Sequence, residues 1–414
     1  MDRASGTSAV DAAGTVDGVT RVALPVGLHG VDSVNAYVLA DGDTVTLVDA
    51  GVWRADPDDD GLPALERGLQ RAGYALRDIS RIVVTHAHID HYGLAGRLLE
   101  LTGAELWMHA MTDLDCEKYR HPQTAMARRR DMYADHGLSA DEQEEIGDSL
   151  ARWLPYLHSV VEASTRLRGG ERFTTGANEW EVLHTPGHSY GHVCLWSARE
   201  RVLFSGDHLL PGVTPPVTFE RGFDADPLAS YLASLDLIAQ RAPRLVLPGH
   251  GRPFTDAARR IEAISRTKAR RLAAVRELIE QAPSTVTGIA DRLFPKAVMN
   301  YQRNYALSET LAHMARLRWS GLVERRIRRD GVYEWYATAA RSPAPSAGAA
   351  GEVGPGGGAG TDGGAGASGS ARPGGNVGSG GSGGGGAGGI GTGGRAGTGG
   401  GAGASGVAGA AGGE

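Results

Sequence analysis

Cysteine is almost missing from this sequence, which holds two in 414 residues, Cys116 and Cys194. Two such residues make neither a disulfide framework nor a CxxC zinc pattern, so reduced, structural thiols are expected. Lysine is nearly as scarce, with Lys118, Lys268 and Lys296 as the only three, and aromatic residues make up 6%. No stretch approaches the roughly 18 apolar residues that a membrane span requires. The opening residues, MDRASGTSAVDAAGTVDG, lack the basic start and apolar run of a secretory signal. A cytoplasmic protein with no membrane partner is expected.

Glycine, in contrast, is abundant and unevenly spread, with 34 of the 62 between Ser342 and Glu414. Large apolar side chains in that stretch are limited to Val353, Val377, Ile390 and Val407, too few to offset the entropy of ordering it. Residues 342–414 are therefore expected to be a disordered Gly/Ala-rich tail, and 1–18 a flexible N-terminus. The remainder is long enough for one large core and a small second one.

Charge separates the same regions. Residues 1–254 carry 23 basic against 36 acidic side chains, whereas residues 255–341 carry 17 against 9. A basic module on an acidic one invites an anionic partner, and a solvated arginine-rich face explains the same pattern.

Along the chain, VTRVALPV, NAYVLA and TVTLVDA read as strands, with an Asp41-Gly42 hairpin turn between the last two. An amphipathic helix over Pro63–Ala72 leads to the strand RIVVT, and strands recur at ELWMHA, WEVLHT, HVCLWSA, RVLFSGD and RLVLPGH. This is a mixed α+β pattern, with histidine-bearing loops at strand ends. Residues 111–167 form a helical insertion, with Arg128, Arg129 and Arg130 in a run; a lid, a substrate wall or an inert surface pair all fit. From Ser265 the order becomes helix (267–281), helix (286–293), helix (307–319) and a hairpin turning at Asp330-Gly331, which suggests a winged-helix-like domain over 255–341.

The densest chemistry is in THAHIDHYG, where His86, His88, Asp90 and His91 fall within six residues. Several hard or borderline donors on one tight loop suit a cation. Three later strand ends add a donor each: His188 in TPGHSYGH, Asp207 in SGDH and His250 in PGHG. Seven donors suit two adjacent metals.

With VDAG at Asp49, THAHIDHYG, TPGHSYGH, SGD and PGHG in this order, the region from about Val19 to Pro253 resembles the metallo-β-lactamase superfamily, in its dinuclear, glyoxalase II-like branch. The resemblance implies an αββα sandwich catalytic domain over 19–254. It also implies that His86, His88 and His188 hold one metal and Asp90, His91 and His250 a second, with Asp207 bridging both. Two divalent ions, zinc best suited, would then ionise a water for attack on an electrophilic centre, with Asp90 also orienting the nucleophile or moving its proton. His192, His208 and Asp49 match no ligand position and are expected to pack or to support the ligands.

The bond to be cleaved is not specified by these motifs. A thioester or ester of a small molecule, in the manner of a hydroxyacylglutathione hydrolase, is the first expectation. Cleavage of single-stranded RNA is the alternative, since the basic module resembles an extension carried by RNA-cleaving relatives. A regulator with a vestigial enzyme domain fits poorly with an intact donor set. Besides the small-molecule substrate, nucleic acid and a second copy of the chain remain open as partners.

Overall fold

The computed structural model describes residues 16–28, 31–55, 61–295 and 300–338. Residues 1–15 and the expected tail at 342–414 lie outside the described residues, as does Lys296. Of the N-terminus expected to be flexible, residues 16–18 are held: Val16 is buried between the sheets, and Gly18 O accepts from Ala40 N at 2.8 Å.

Alternating apolar residues build the first sheet. Strands β1 (Val19–Leu28), β2 (Val31–Asp41) and β3 (Thr44–Val48) run antiparallel; β4 (Ile79–Val83), β5 (Glu105–His109) and β6 (Thr165–Leu167) then join in parallel. The Asp41-Gly42 turn closes β2 on β3, with Gly42 at φ 63°, a left-handed conformation that glycine adopts without a Cβ clash. The second sheet comprises β7 (Arg172–Thr175), β8 (Asn178–His184), β9 (Val193–Ser197), β10 (Val202–Gly206) and β11 (Leu245–Pro248), antiparallel except for the β10–β11 pair.

Both sheets are buried on two faces, so their central strands read as nearly unbroken apolar runs. Between them pack Tyr37, Leu39, Val48 and Val83 against Trp180, Val193, Leu195 and Phe204. Helices α1 (Gly61–Arg71), α2 (Ile89–Tyr92) and α3 (Ala95–Thr102) cover the outer face of the first sheet. The outer face of the second is covered by α8 (Pro227–Arg241), whose start is set by the Asp226 cap and Pro227, and by the first half of α9 (Ala257–Gln281). Helix, sheet, sheet and helix layers are thus in place.

The 111–167 insertion contains α4 (Ala110–Asp115), α5 (Glu117–Arg120), α6 (Pro122–Ala134) and α7 (Ala140–Trp153), and it ends in β6. It is a fixed wall. Tyr119 Oη donates to Ala87 O at 2.7 Å, between two site histidines, and Thr112 Oγ1 donates to Gly191 O at 2.8 Å. At its other end, Met132, Tyr133, Leu138 and Ile146 enter a core shared with α10 (Val286–Leu293), α11 (Asn300–Trp319), β12 (Val323–Ile327) and β13 (Tyr333–Ala337). The expected order of three helices and a hairpin is observed, but α9 begins ten residues before the expected 267 and serves two cores. Its Ala257, Ile261 and Ile264 pack on the second sheet, whereas Val275 and Ile279 pack in the C-terminal core. The change from one core to the other therefore falls inside this helix rather than at residue 255. No helix among the described residues is long and apolar enough to cross a membrane.

Candidate metal centre

All seven expected donors meet at one edge of the sandwich, where β3, β4, β10 and β11 end. The β4 strand delivers His86, and the short α2 that follows His88 turns Asp90 and His91 inward. His188 comes from the loop joining β8 to β9, Asp207 directly follows β10, and His250 follows β11. Their donor atoms fall into three overlapping groups, each within 4.8 Å: His86, His88 and His188; Asp90, His91 and His250; and His86, His91 and Asp207.

Hydrogen bonds behind the rings decide which nitrogen each imidazole presents. Pro216 O can only accept, so His188 Nδ1, 3.0 Å away, carries the proton and Nε2 keeps its lone pair. The same holds for His250, whose Nδ1 lies 2.7 Å from Ser33 O, and for His91, whose Nδ1 lies 2.7 Å from Asp49 Oδ2. Thr85 Oγ1 donates to Asp49 at 2.9 Å, so at 3.0 Å it accepts from His86 Nδ1. Four histidines thus turn Nε2, not Nδ1, toward the centre.

A cation fits what these atoms lack. His86 Nε2 and His188 Nε2 lie 2.9 and 3.2 Å from His88 Nδ1, so three ring nitrogens converge where at most one proton could bridge them. His91 Nε2 and Asp207 Oδ1, 3.4 Å apart, are buried with no hydrogen-bond partner. Such spacings suit donors about 2.0–2.2 Å from a shared ion. Asp207 Oδ2 stands 3.8 Å from His188 Nε2 and 3.5 Å from His250 Nε2, within reach of both halves. Asp90 Oδ2 lies 3.1 Å from His250 Nε2.

The two halves differ in charge. In the first, burial, followed by neighbouring imidazoles, holds His86 and His88 well below the ordinary histidine range. In the second, burial also opposes the cation, but the Asp207, Asp49 and Asp90 carboxylates outweigh it and raise His91 to about 10. Burial pushes Asp90 up, yet His91 and His250 draw it down to about 2. Asp90, and Asp207 with it, are therefore ionised acceptors.

His192 and His208 stay out of the donor groups. His192 Nε2 accepts from Asp207 N at 3.2 Å and Nδ1 lies 2.9 Å from Thr185 Oγ1, so the ring supports the turn that carries Asp207. His208 packs on Tyr231, with ring centres 4.5 Å apart. Asp49 sits at φ 60° and accepts from Thr85 N at 2.8 Å while holding His91; a non-glycine residue in that conformation is strained backbone kept for an orienting role. Sequence could flag Asp49 through VDAG, but the carbonyls of Ser33 and Pro216 carried no signal, because a backbone acceptor does not depend on residue type. Gly249 has a spatial reason to be glycine, since a Cβ there would meet Asp207 Oδ1 at 2.4 Å. Both cysteines are buried, which raises their thiols to about 12 and leaves them unreactive.

Comparison with known proteins shows the family. Residues 29–250 match the metallo-beta-lactamase superfamily, and residues 272–339 match the metallo-beta-lactamase-like C-terminal domain. The "Probable metallo-hydrolase YqjP" of Bacillus subtilis is 27% identical over 307 residues, covering 72% of this chain and 92% of that protein. The "Hydroxyacylglutathione hydrolase GloC" of Haemophilus influenzae is 25% identical over 186 residues, covering 45% of this chain and 75% of that one. A crystal structure of a metallo-beta-lactamase family protein from Thermus thermophilus superposes with a TM-score of 0.67 at 28% identity, covering 78% of this chain and 99% of that chain. With its donor cluster, its layered fold and a family match spanning more than half of its length, the chain belongs to the metallo-beta-lactamase superfamily and is a metallo-hydrolase of that fold.

Proposed function

We propose that this protein hydrolyses a thioester or ester of a small molecule with two divalent ions, zinc best suited, held by His86, His88 and His188 on one side, Asp90, His91 and His250 on the other, and Asp207 between. The observation that carries the hydrolytic reading is the convergence of imidazole nitrogens and carboxylate oxygens at one strand edge, with His91 Nε2 and Asp207 Oδ1 buried and unpartnered. Bound there, the ions would supply Lewis acidity and lower the pKa of water toward neutrality. The chain's own part is to keep the ligands aligned and to move a proton. Asp90, ionised and at the rim of the donor set, is placed to orient the attacking water and accept its proton. The loop after β10 is tied to its neighbours: Arg129 of α6 pairs with its Glu220 at 3.6 Å, and Tyr190 of the β8–β9 loop stacks on its Phe223 with ring centres 4.5 Å apart.

The thioester class draws support from the GloC relative, whose name gives a hydroxyacylglutathione as its substrate. Nucleic acid fits the hairpin less well, because three of its four arginines have partners within the hairpin. Arg326 pairs with Glu334 and Arg328 with Asp330, while Arg325 lies 4.0 Å over the Tyr333 ring. A panel of acyl thioesters, lactones and single-stranded RNA, run on zinc-loaded protein with a His88→Ala control, tests the assignment. Thioester turnover that disappears in the control is expected; RNA cleavage without thioester turnover would overturn it.

A further inference from the structure

The loop between β10 and α8 carries two consecutive prolines, Pro215 and Pro216, and neither has an amide hydrogen. Hydrogen bonds can grip this dipeptide only through its two carbonyls. Pro216 O accepts from His188 Nδ1 at 3.0 Å and so fixes which nitrogen His188 presents. Pro215 O accepts from Lys268 Nζ at 2.9 Å.

Lys268 is the unusual partner. It projects from the inner face of α9 at 0% exposure, where an ammonium is costly unless it is paired. Glu309 of α11 pairs with it at 2.7 Å and also accepts from Arg271 at 2.6 Å. One residue earlier on α11, Ser308 Oγ donates to Phe219 O at 3.1 Å and accepts from Phe219 N at 3.0 Å. Lys268 Nζ also lies 5.6 Å over the ring of Tyr231, whose hydroxyl donates to His208 O at 2.9 Å, next to Asp207. The helices that enter the C-terminal core therefore hold the loop at several points, and the buried ion pair lies nearest to the histidine.

We infer that Lys268, held by Glu309, is a positioning residue for the first half of the metal centre: by fixing Pro215 it places Pro216 O, which aligns His188. A buried ion pair often contributes little net stability compared with apolar side chains of similar size, so its role here is directional. The C-terminal helices would thus tune one ion and leave the other alone, since the second half depends on Ser33 O and Asp49 in the first sheet.

The inference rests on the metal centre proposed above, so the zinc titration of the parent chain comes first. In competition with a chromophoric chelator, the parent is expected to bind two zinc ions; a parent that binds none overturns the metal reading, and this inference with it. The informative variant is Lys268→Met with Glu309→Met, which leaves no bare charge from the pair and keeps the volume. It should bind one of the two ions about tenfold more weakly, the lower end of the effect expected for groups supporting a ligand, and the other unchanged. Leu317→Ala, buried in the C-terminal core and with no part in the Lys268–Glu309 pair, serves as a stability control and should retain parental affinity at both sites. Parental affinity for both ions in the double variant, or an equal loss in Leu317→Ala, would overturn the inference.

Discussion

The two halves of the metal centre use the same side-chain chemistry but are braced from different parts of the molecule. His250 is set by β2, where its Nδ1 meets Ser33 O, Asn35 Nδ2 donates to Pro248 O and Gly251 O, and Tyr37 Oη donates to Pro248 O. His91 leans on Asp49 at the end of β3. These supports belong to the sandwich core. His188 instead leans on a loop held by α9 and α11. One half is thus built into the sheets, and the other reaches its support through helices that continue into the C-terminal core. Ions of similar coordination can therefore respond differently to changes far from either.

The most severe test removes the side chain shared by both halves. Asp207→Ala should release both ions and lower turnover by more than about 100-fold, beyond the range typical for residues that only support a ligand. Elemental analysis and steady-state kinetics read it together. Retention of one full equivalent of metal would show that Asp207 serves only one half.

A narrower change should separate the halves. Asp49→Asn keeps the shape of the side chain but weakens the charged acceptor behind His91 Nδ1, so the ion on the Asp90, His91 and His250 side should bind about 10–100-fold more weakly. The ion on the His188 side should be affected far less. Zinc competition resolves the two, and equal weakening of both would mean that the halves are coupled through His86 and Thr85, which share the Asp49 network.

How much of this could be read from the sequence depends on where each signal lies. The donors were legible because a site histidine or aspartate is identified by type and spacing, and because strand-end glycines mark close approaches such as that at Gly249. Strand order within the layers, and the meeting of His86 with His188 across about a hundred residues, came from the family resemblance and not from local pattern. The supports were not legible, since Ser33 and Pro216 act through backbone oxygen. The role of Lys268 was hidden for a related reason: a lone lysine in an arginine-rich helix looks solvated, and only the packing of α9 on α11 shows it buried. The insertion could be read as a lid, a substrate wall or an inert surface pair because local pattern does not show its partners; its apolar residues enter a core contributed by residues more than a hundred positions later.

The C-terminal core should also show its own pH response. Burial, followed by the Arg325 guanidinium, lowers His136 to about 3, with Arg221 adding to the shift and Asp135 opposing it. His136 lies against the Trp335 and Tyr333 rings. Because its folded-state pKa is depressed, the unfolded chain takes up the proton first. The stability contributed by neutral His136 is complete above about pH 6.5 and is lost as pH falls toward 3, at up to about 1.4 kcal/mol per pH unit. Denaturant titrations of metal-free protein should show this acid-side slope, and His136→Phe should flatten it. An unchanged slope in the variant would place the acid sensitivity elsewhere.

The smallest effect is expected at the hairpin, which is part of the C-terminal core and supplies none of the seven donors. Its four arginines, Arg325, Arg326, Arg328 and Arg329, give the module much of its basic character. A phosphate-gripping surface must leave its cations free, and association would then release counterions and weaken steeply with salt. Arg326 and Arg328 instead face Glu334 and Asp330, and Arg325 lies over a tyrosine ring. Surface pairs of this kind contribute about 0–1 kcal/mol, so replacing all four arginines by glutamine should cost little stability. Thioester hydrolysis should stay within about twofold of the parent, and RNA affinity should be weak with a shallow salt dependence in both proteins. If RNA cleavage is measurable and disappears in both this variant and His88→Ala, the hairpin is part of the substrate site, and the comparison must then include a third region that neither half of the metal centre explains.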